Sequence, residues 1–232
     1  MTAELPGAPK RAAPETTPER ETAKVVLVGG GSSHDFGRWF DREDREILGG
    51  VVGDDVIYTG ATTDLARRLA GARVLVLSTN QPIAGADQRA IVEFVEAGGG
   101  LILLHPAAWR NWPEWKELAG GGTSSHEDFA AFDVTLVEPK HAVCANLPAT
   151  FRIDDELYRF EPSQDARGVT VLARGRSLTS GAEYPVLWTH ARGRGRVVAC
   201  TLGHDGRAHE LPAFRALLQN AVRYSMEPRT GR

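Results

Sequence analysis

Three short aliphatic runs constrain the fold more than any other feature of the chain. Val25-Val26-Leu27-Val28 runs directly into Gly29-Gly30-Gly31, Arg73 to Leu77 repeats the pattern, and Leu101 to Leu104 follows the triple glycine Gly98 to Gly100. Such a run is too short for a helix, and it has no polar alternation. It fits a strand buried on both faces, which requires a sheet covered on both sides. Asp55 to Tyr58 adds another strand. Helical spacing fills the intervals at Phe40 to Leu48, at Thr63 to Ala70 with Thr62 or Thr63 as its cap, and at Ile83 to Ala97, where Ile91, Val92, Phe94 and Val95 recur. Strands alternating with helices at this pitch imply right-handed crossovers. The expected fold is α/β: a doubly wound, mostly parallel, flavodoxin-like sheet with helices on both faces.

The second half is richer in strands, expected at Phe132 to Val137, Phe151 to Phe160, Val169 to Ala173, Pro185 to Thr189 and Arg196 to Thr201. Leu211 to Tyr224 reads as a closing helix. No fixed-period repeat or linker divides the chain, so one domain over 24–226 is expected, followed by a short tail at 227–232. Residues 1–23 hold four of the 13 prolines and only Met1 and Leu5 as large apolar side chains. Such a segment cannot offset its ordering entropy, and a disordered tail is expected there.

Composition narrows the partners. A formal charge of -3 over 232 residues lacks the basic excess of phosphate-backbone binders, so no nucleic acid is expected. No apolar run approaches the roughly 20 residues of a membrane span, so no membrane is expected either. Two cysteines and no apolar leader point to a cytoplasmic setting. Assembly into a homo-oligomer is compatible with the sequence.

Ligands of open α/β sheets bind outside the carboxyl ends of the strands. His34 and Asp35 follow the first strand, His105 follows the fourth directly, and His204 with Asp205 follows the strand ending at Thr201. His126 lies after the glycine-rich loop Gly120 to Ser125, so four of the seven histidines can meet at one edge. Imidazole suits both proton transfer and metal ligation. The HExxH spacing is absent. A set of His105, His126 and His204 around one divalent ion and direct action of these rings both stay open. The roles of His141 and His190 are not specified by their surroundings. In Asp154-Asp155-Glu156, beside Ile153, Leu157 and Tyr158, a partly desolvated carboxylate suits acid–base work. Glu156 is favoured for it over Asp154. Trp109, Trp112 and Trp115 recur at a spacing of three; core packing suits Trp112 and Trp115, while Trp109, nearest the strand end, could stack on a sugar ring.

Several chemistries are set aside. Gly29 to Ser33 does not match GxGxxG, and no acidic residue closes the second strand, so no NAD is expected. The P-loop lysine and the GxSxG elbow are missing, and no nucleotide is expected. Cys200 lies inside a strand pattern and Cys144 in a loop; neither sits at a strand-to-helix elbow.

These stretches together, GGGSSHDF, IVEFVEAGGGLILLHPAAW, GGTSSH, FRIDDELYRF and PVLWTHARGRGRVVACTLGHD, resemble the trehalose-utilisation (ThuA-like) family, over residues 24 to about 224. The resemblance implies a fold similar to class I glutamine amidotransferases. His105 stands where those enzymes carry a cysteine nucleophile, so thioester chemistry is not implied. It carries the family's positions onto His34, His105, His126, Glu156 and His204; His141 departs, being followed by Ala142 rather than proline. The implied function is processing of a 3-keto glycoside or related keto sugar by hydrolysis, elimination or isomerisation. Glu156 would be the base, with His105 beside it. His34, Asp35, Trp109, Tyr158 and Asp205 would hold the substrate. A noncatalytic sugar-binding module is the alternative.

Overall fold

A computed structural model of the chain describes residues 25–109, 115–163 and 168–228. The expected N-terminal tail, Trp112 and most of the C-terminal tail lie outside these residues. Nine strands form one sheet in the order β2-β1-β3-β4-β11-β10-β9-β6-β7. Its parallel part consists of β1 (Val25–Val28), β2 (Val56–Thr59), β3 (Val74–Leu77), β4 (Gly100–Leu104) and β11 (Gly195–Cys200). The sheet continues antiparallel through β10 (Glu183–Arg192), β9 (Thr170–Ser177), β6 (Ala130–Leu136) and β7 (Thr150–Asp155). A separate two-stranded ribbon pairs β5 (Gly121–His126) with β8 (Tyr158–Pro162).

Side chains on successive strand residues point to opposite faces, and the aliphatic runs are buried both ways. Val25, Leu27, Val74, Val76, Ile102 and Leu104 pack with α1 (Arg45–Val52) and α6 (Pro212–Met226), through Ile47, Leu48, Phe214 and Leu217. The alternate residues Val26, Val28, Leu75, Leu77, Leu101 and Leu103 pack with α2 (Leu65–Arg68), α3 (Gly85–Glu96) and α4 (Trp115–Ala119), through Leu65, Ile91, Val95 and Trp115. This two-sided burial is what the absence of polar alternation required.

Four local expectations are corrected. Neither Thr62 nor Thr63 caps α2: the Thr62 hydroxyl donates to the Pro82 carbonyl (2.7 Å), and the Leu65 N–H is satisfied by Asp87 of α3 (2.7 Å). A tertiary carboxylate has taken the place of a local hydroxyl. The glycine-rich segment before His126 is β5, since its backbone finds a partner in β8. The stretch Phe151 to Phe160 is two strands in different sheets, broken at Glu156 and Leu157. A π-helical segment, Gly37–Asp44, precedes α1, so the first helical region starts earlier than the apolar spacing indicates.

Candidate functional site

The carboxyl ends of β1, β4 and β11 bring three imidazoles together. His105 immediately follows β4 and adopts φ +26°, a left-handed conformation that costs a side-chain-bearing residue energy and recurs at functional sites. Its ring is fully buried, and its Nδ1 lies 2.7 Å from the Thr201 carbonyl oxygen. A carbonyl only accepts, so Nδ1 carries a proton and Nε2 is turned toward the other groups of the site. There Nε2 meets the Tyr158 hydroxyl at 3.2 Å, His204 Nδ1 at 3.2 Å and Glu156 Oε2 at 3.5 Å.

His34 reaches the same point from the loop after β1. Gly31 sits at φ +136° with the Asn80 side chain packed where a Cβ would stand, so only glycine fits there. Asn80 in turn accepts from the Ser32 N–H (3.3 Å) and donates to the Ser33 hydroxyl (2.7 Å), which touches His34 Nδ1 at 2.6 Å. The far nitrogen, Nε2, is 3.3 Å from His204 Nδ1. One ligand atom from each of His34, His105 and His204 lies within 4.8 Å of the others, so the three could hold one metal ion. His126 is not in this group. Its Nδ1 donates to the Glu127 carbonyl (2.8 Å) and stands 3.8 Å from Glu156 Oε1, because β5 carries it along the ribbon rather than to the strand ends. The rings that meet are thus His34, His105 and His204, where the sequence had grouped His126 with the last two.

Glu156 projects from the break between β7 and β8, with Oε2 3.3 Å from His204 Nδ1. Burial pushes its pKa up, but the His105 contact and the charges of His105, His204 and His126 prevail and hold it down at about 2. Burial and the neighbouring His105 and His204 lower His34 to about 3. Tyr158 is raised by burial and by the charges of Glu156 and Asp155, so its hydroxyl stays protonated and donates.

His34, His126, Glu156, Tyr158 and His204 line a cleft of about 580 Å³, with His105 buried behind them. Trp109, 37% exposed, packs edge-on against His126 and Tyr158 and forms part of the wall. Pro82, Ile83 and Pro106 add apolar surface, and Asn80 and Gln88 add amides. Asp35 and Asp205 are turned elsewhere. Asp35 accepts from the Arg38 N–H (3.1 Å), while Asp205 caps α5 (Gly206–His209) through the Arg207 N–H (2.9 Å) and pairs with that guanidinium. Both side chains start helical turns and neither lines the cleft. His190, buried, bonds the Leu118 carbonyl (2.8 Å), and His141 accepts from the Val143 N–H (3.2 Å); both stand away from the cluster. Trp115 is buried in the core, as its spacing suggested. Cys144 and Cys200 are buried free thiols, pushed up to about 11 and about 12 by burial first.

Two bracing groups were not singled out from the sequence. Asp155 is fully buried; its Oδ2 accepts from Gly203 N–H (2.7 Å), and its Oδ1 accepts from the N–H groups of Glu156 (2.8 Å) and His204 (3.3 Å). It ties the loop bearing His204 to the corner bearing Glu156. The available signal was its phase: on β7 it shares the inward face with Ile153. Behind it, buried His209 bonds Asp44 (2.7 Å) through Nδ1 and the Gly203 carbonyl (3.0 Å) through Nε2. His209 is raised despite burial because Asp44 faces it.

Fold and site together define an α/β protein with a histidine-and-carboxylate cleft at the strand ends of its parallel half. The family profile described as trehalose utilisation (ThuA) matches residues 53–225, and the chain belongs to that family. A ThuA-like protein from Bacteroides uniformis superposes with a TM-score of 0.76 at 21% identity, over 92% of this chain and 95% of that one. Another from Parabacteroides merdae gives 0.75 at 21% identity, over 88% and 90%. A β-galactosidase from Rahnella sp. R3 gives 0.63 at 15% identity, covering 88% of this chain but 31% of the enzyme. At these identities the structures are alike in fold. No curated protein matches the chain.

Proposed function

We propose that the chain is a carbohydrate-processing enzyme acting on a 3-keto glycoside or related keto sugar. The carrying observation is the meeting of an ionised Glu156 with the imidazoles of His34, His105 and His204 at the end of a cleft walled by Trp109 and Tyr158. The family tie to trehalose utilisation supports a sugar as the ligand. The cleft volume lies in the range of small-molecule sites, about 300–1,000 Å³.

A ketone acidifies the neighbouring C–H. In this reading Glu156 removes that proton, and its electron pair moves onto the carbonyl oxygen to give an enolate. The Tyr158 hydroxyl and imidazole N–H groups would hold the enolate oxygen; a divalent ion, if held by His34, His105 and His204, would supply the same charge stabilisation. Proton removal of this kind opens elimination, hydrolysis through elimination, or isomerisation. Trp109 offers its exposed ring to the apolar face of the sugar. The setting is cytoplasmic in this reading, in keeping with two unpaired cysteines. Among the described residues no helix is long and apolar enough to cross a membrane.

Turnover of a 3-keto disaccharide tests the assignment. Glu156→Gln is expected to lower the rate about a hundredfold or more, the usual contribution of a positioned base, with an unchanged circular-dichroism spectrum. Undiminished turnover in that variant removes the base. Tight binding of the sugar by the native protein with no product at all favours a sugar-binding module instead.

A further inference from the structure

Three imidazole nitrogens at the strand ends are grouped as metal ligands are, all within 4.8 Å of one another, with a carboxylate beside two of them. His204 Nδ1 stands 3.2 Å from His105 Nε2, 3.3 Å from His34 Nε2 and 3.3 Å from Glu156 Oε2, while Glu156 Oε2 is 3.5 Å from His105 Nε2. Ligands about 2.0–2.1 Å from a tetrahedral ion lie about 3.3–3.4 Å from one another, so the separations of His204 Nδ1 from the other two ring nitrogens match edges of such a shell. Hydrogen bonding alone accounts poorly for the group. Three ring nitrogens crowd one point, with a carboxylate oxygen beside two of them.

The surrounding contacts are those that orient ligands. His105 gives its Nδ1–H to the Thr201 carbonyl, leaving Nε2 as the nitrogen open to an ion, and His34 rests its other nitrogen on the Ser33 hydroxyl, itself fixed by Asn80. Asp155 holds the backbone N–H groups of both His204 and Glu156, fixing a ligand and the neighbouring carboxylate that lie far apart in sequence. All of this lies beside a solvent-reached cleft, which supplies an entry path.

We propose that the imidazoles of His34, His105 and His204 form a binding site for one divalent first-row transition ion of the zinc class. Three imidazoles suit borderline ions such as Zn²⁺ and leave a fourth position open. They do not suit Mg²⁺ or Ca²⁺, which take shells of oxygen. Glu156 stays outside this trio, with Oε2 3.3 Å from His204 Nδ1 and Oε1 3.8 Å from His126 Nδ1, and remains available as the base. The site deepens the keto-sugar reading by selecting the ion over direct imidazole donors, but its evidence is independent of any substrate.

The test is metal binding by the full chain, stripped with chelator and titrated with ZnCl₂ by calorimetry, with metal content read by elemental analysis. One equivalent per chain is expected, unaffected by excess Mg²⁺, and the Co²⁺-loaded protein should show the intense visible bands of low-coordinate cobalt. His34→Ala and His204→Ala, at partly exposed positions, should each abolish stoichiometric binding while melting as folded proteins. Ser33→Ala should weaken it about tenfold, the usual effect of losing a contact that orients a ligand. His126→Ala should bind as the native chain does. Absence of a stoichiometric site in the native protein, or native-like binding by both His34→Ala and His204→Ala, overturns the proposal. Either result leaves the sugar reading standing with the imidazoles as direct donors, and a sugar that is never turned over leaves the ion site standing.

Discussion

The chemistry of the cleft turns on charges that neighbours hold away from their ordinary values. His34 is kept neutral by burial and by two adjacent imidazoles, with its pKa at about 3 instead of 6.5. Unfolded chains take up that proton below about 6.5 and the folded protein does not, so stability present at neutral pH is lost as the pH falls from 6.5 toward 3. Glu156 acts in the same direction: its folded value of about 2 lies below the ordinary 4.5, so its contribution is present above 4.5 and disappears as pH falls toward 2. The metal-free protein should therefore melt at progressively lower temperature from pH 7 to pH 4, and His34→Gln should flatten the part of that slope between pH 6.5 and 5. An equally steep profile in the variant would mean that His34 titrates normally. At this scale the residues after strands were legible, because strand ends are where an open sheet binds. His105, His204, His34 and Glu156 were all singled out from position and chemistry. Asp35 and Asp205 were not separable from their histidine neighbours, since an aspartate that caps a turn and one that faces a ligand look alike in sequence.

At the scale of elements, the corner between β7 and β8 decides the site. Asp155 points into the core on the last residue of β7, and Glu156 leaves the sheet beside it. Three backbone N–H groups converge on the Asp155 carboxylate, and burial raises its pKa against the pull of His105 and those donors. Asp155→Asn places an amide N–H₂ where an acceptor is required. It should cost about 1–3 kcal/mol in denaturant unfolding, the range for an unsatisfied buried group, and should also lower turnover by loosening the loop of His204 and the corner of Glu156. A variant as stable as the native chain would show that the carboxylate braces nothing. The buried strands were plain in the sequence, because a solid aliphatic run has one interpretation. This corner was not: Phe151, Ile153, Leu157, Tyr158 and Phe160 continue an apolar pattern across the break, and neither Gly nor Pro marks it. The pairing of β5 with β8 was hidden for a related reason. Glycine and serine read as loop when a strand's stability comes entirely from its partner.

Over the whole molecule, the cleft is assembled from two differently built halves of one sheet. The parallel half delivers His34, His105 and His204 at its strand ends, while the antiparallel extension and the small ribbon bring Glu156, Tyr158, His126 and the wall they share with Trp109. The parallel half follows from periodicity alone; the way the second half folds back over it depends on long-range pairing that no local pattern encodes. In the proposed function this joint site removes a proton from the carbon next to a sugar ketone. Incubating a 3-keto glycoside with the protein in D₂O and following the hydrogens flanking the ketone by NMR tests that step. Deuterium is expected at one of those carbons, faster than in buffer alone and lost with Glu156→Gln. Exchange at the buffer rate with the native, metal-loaded protein would rule out proton removal at this site.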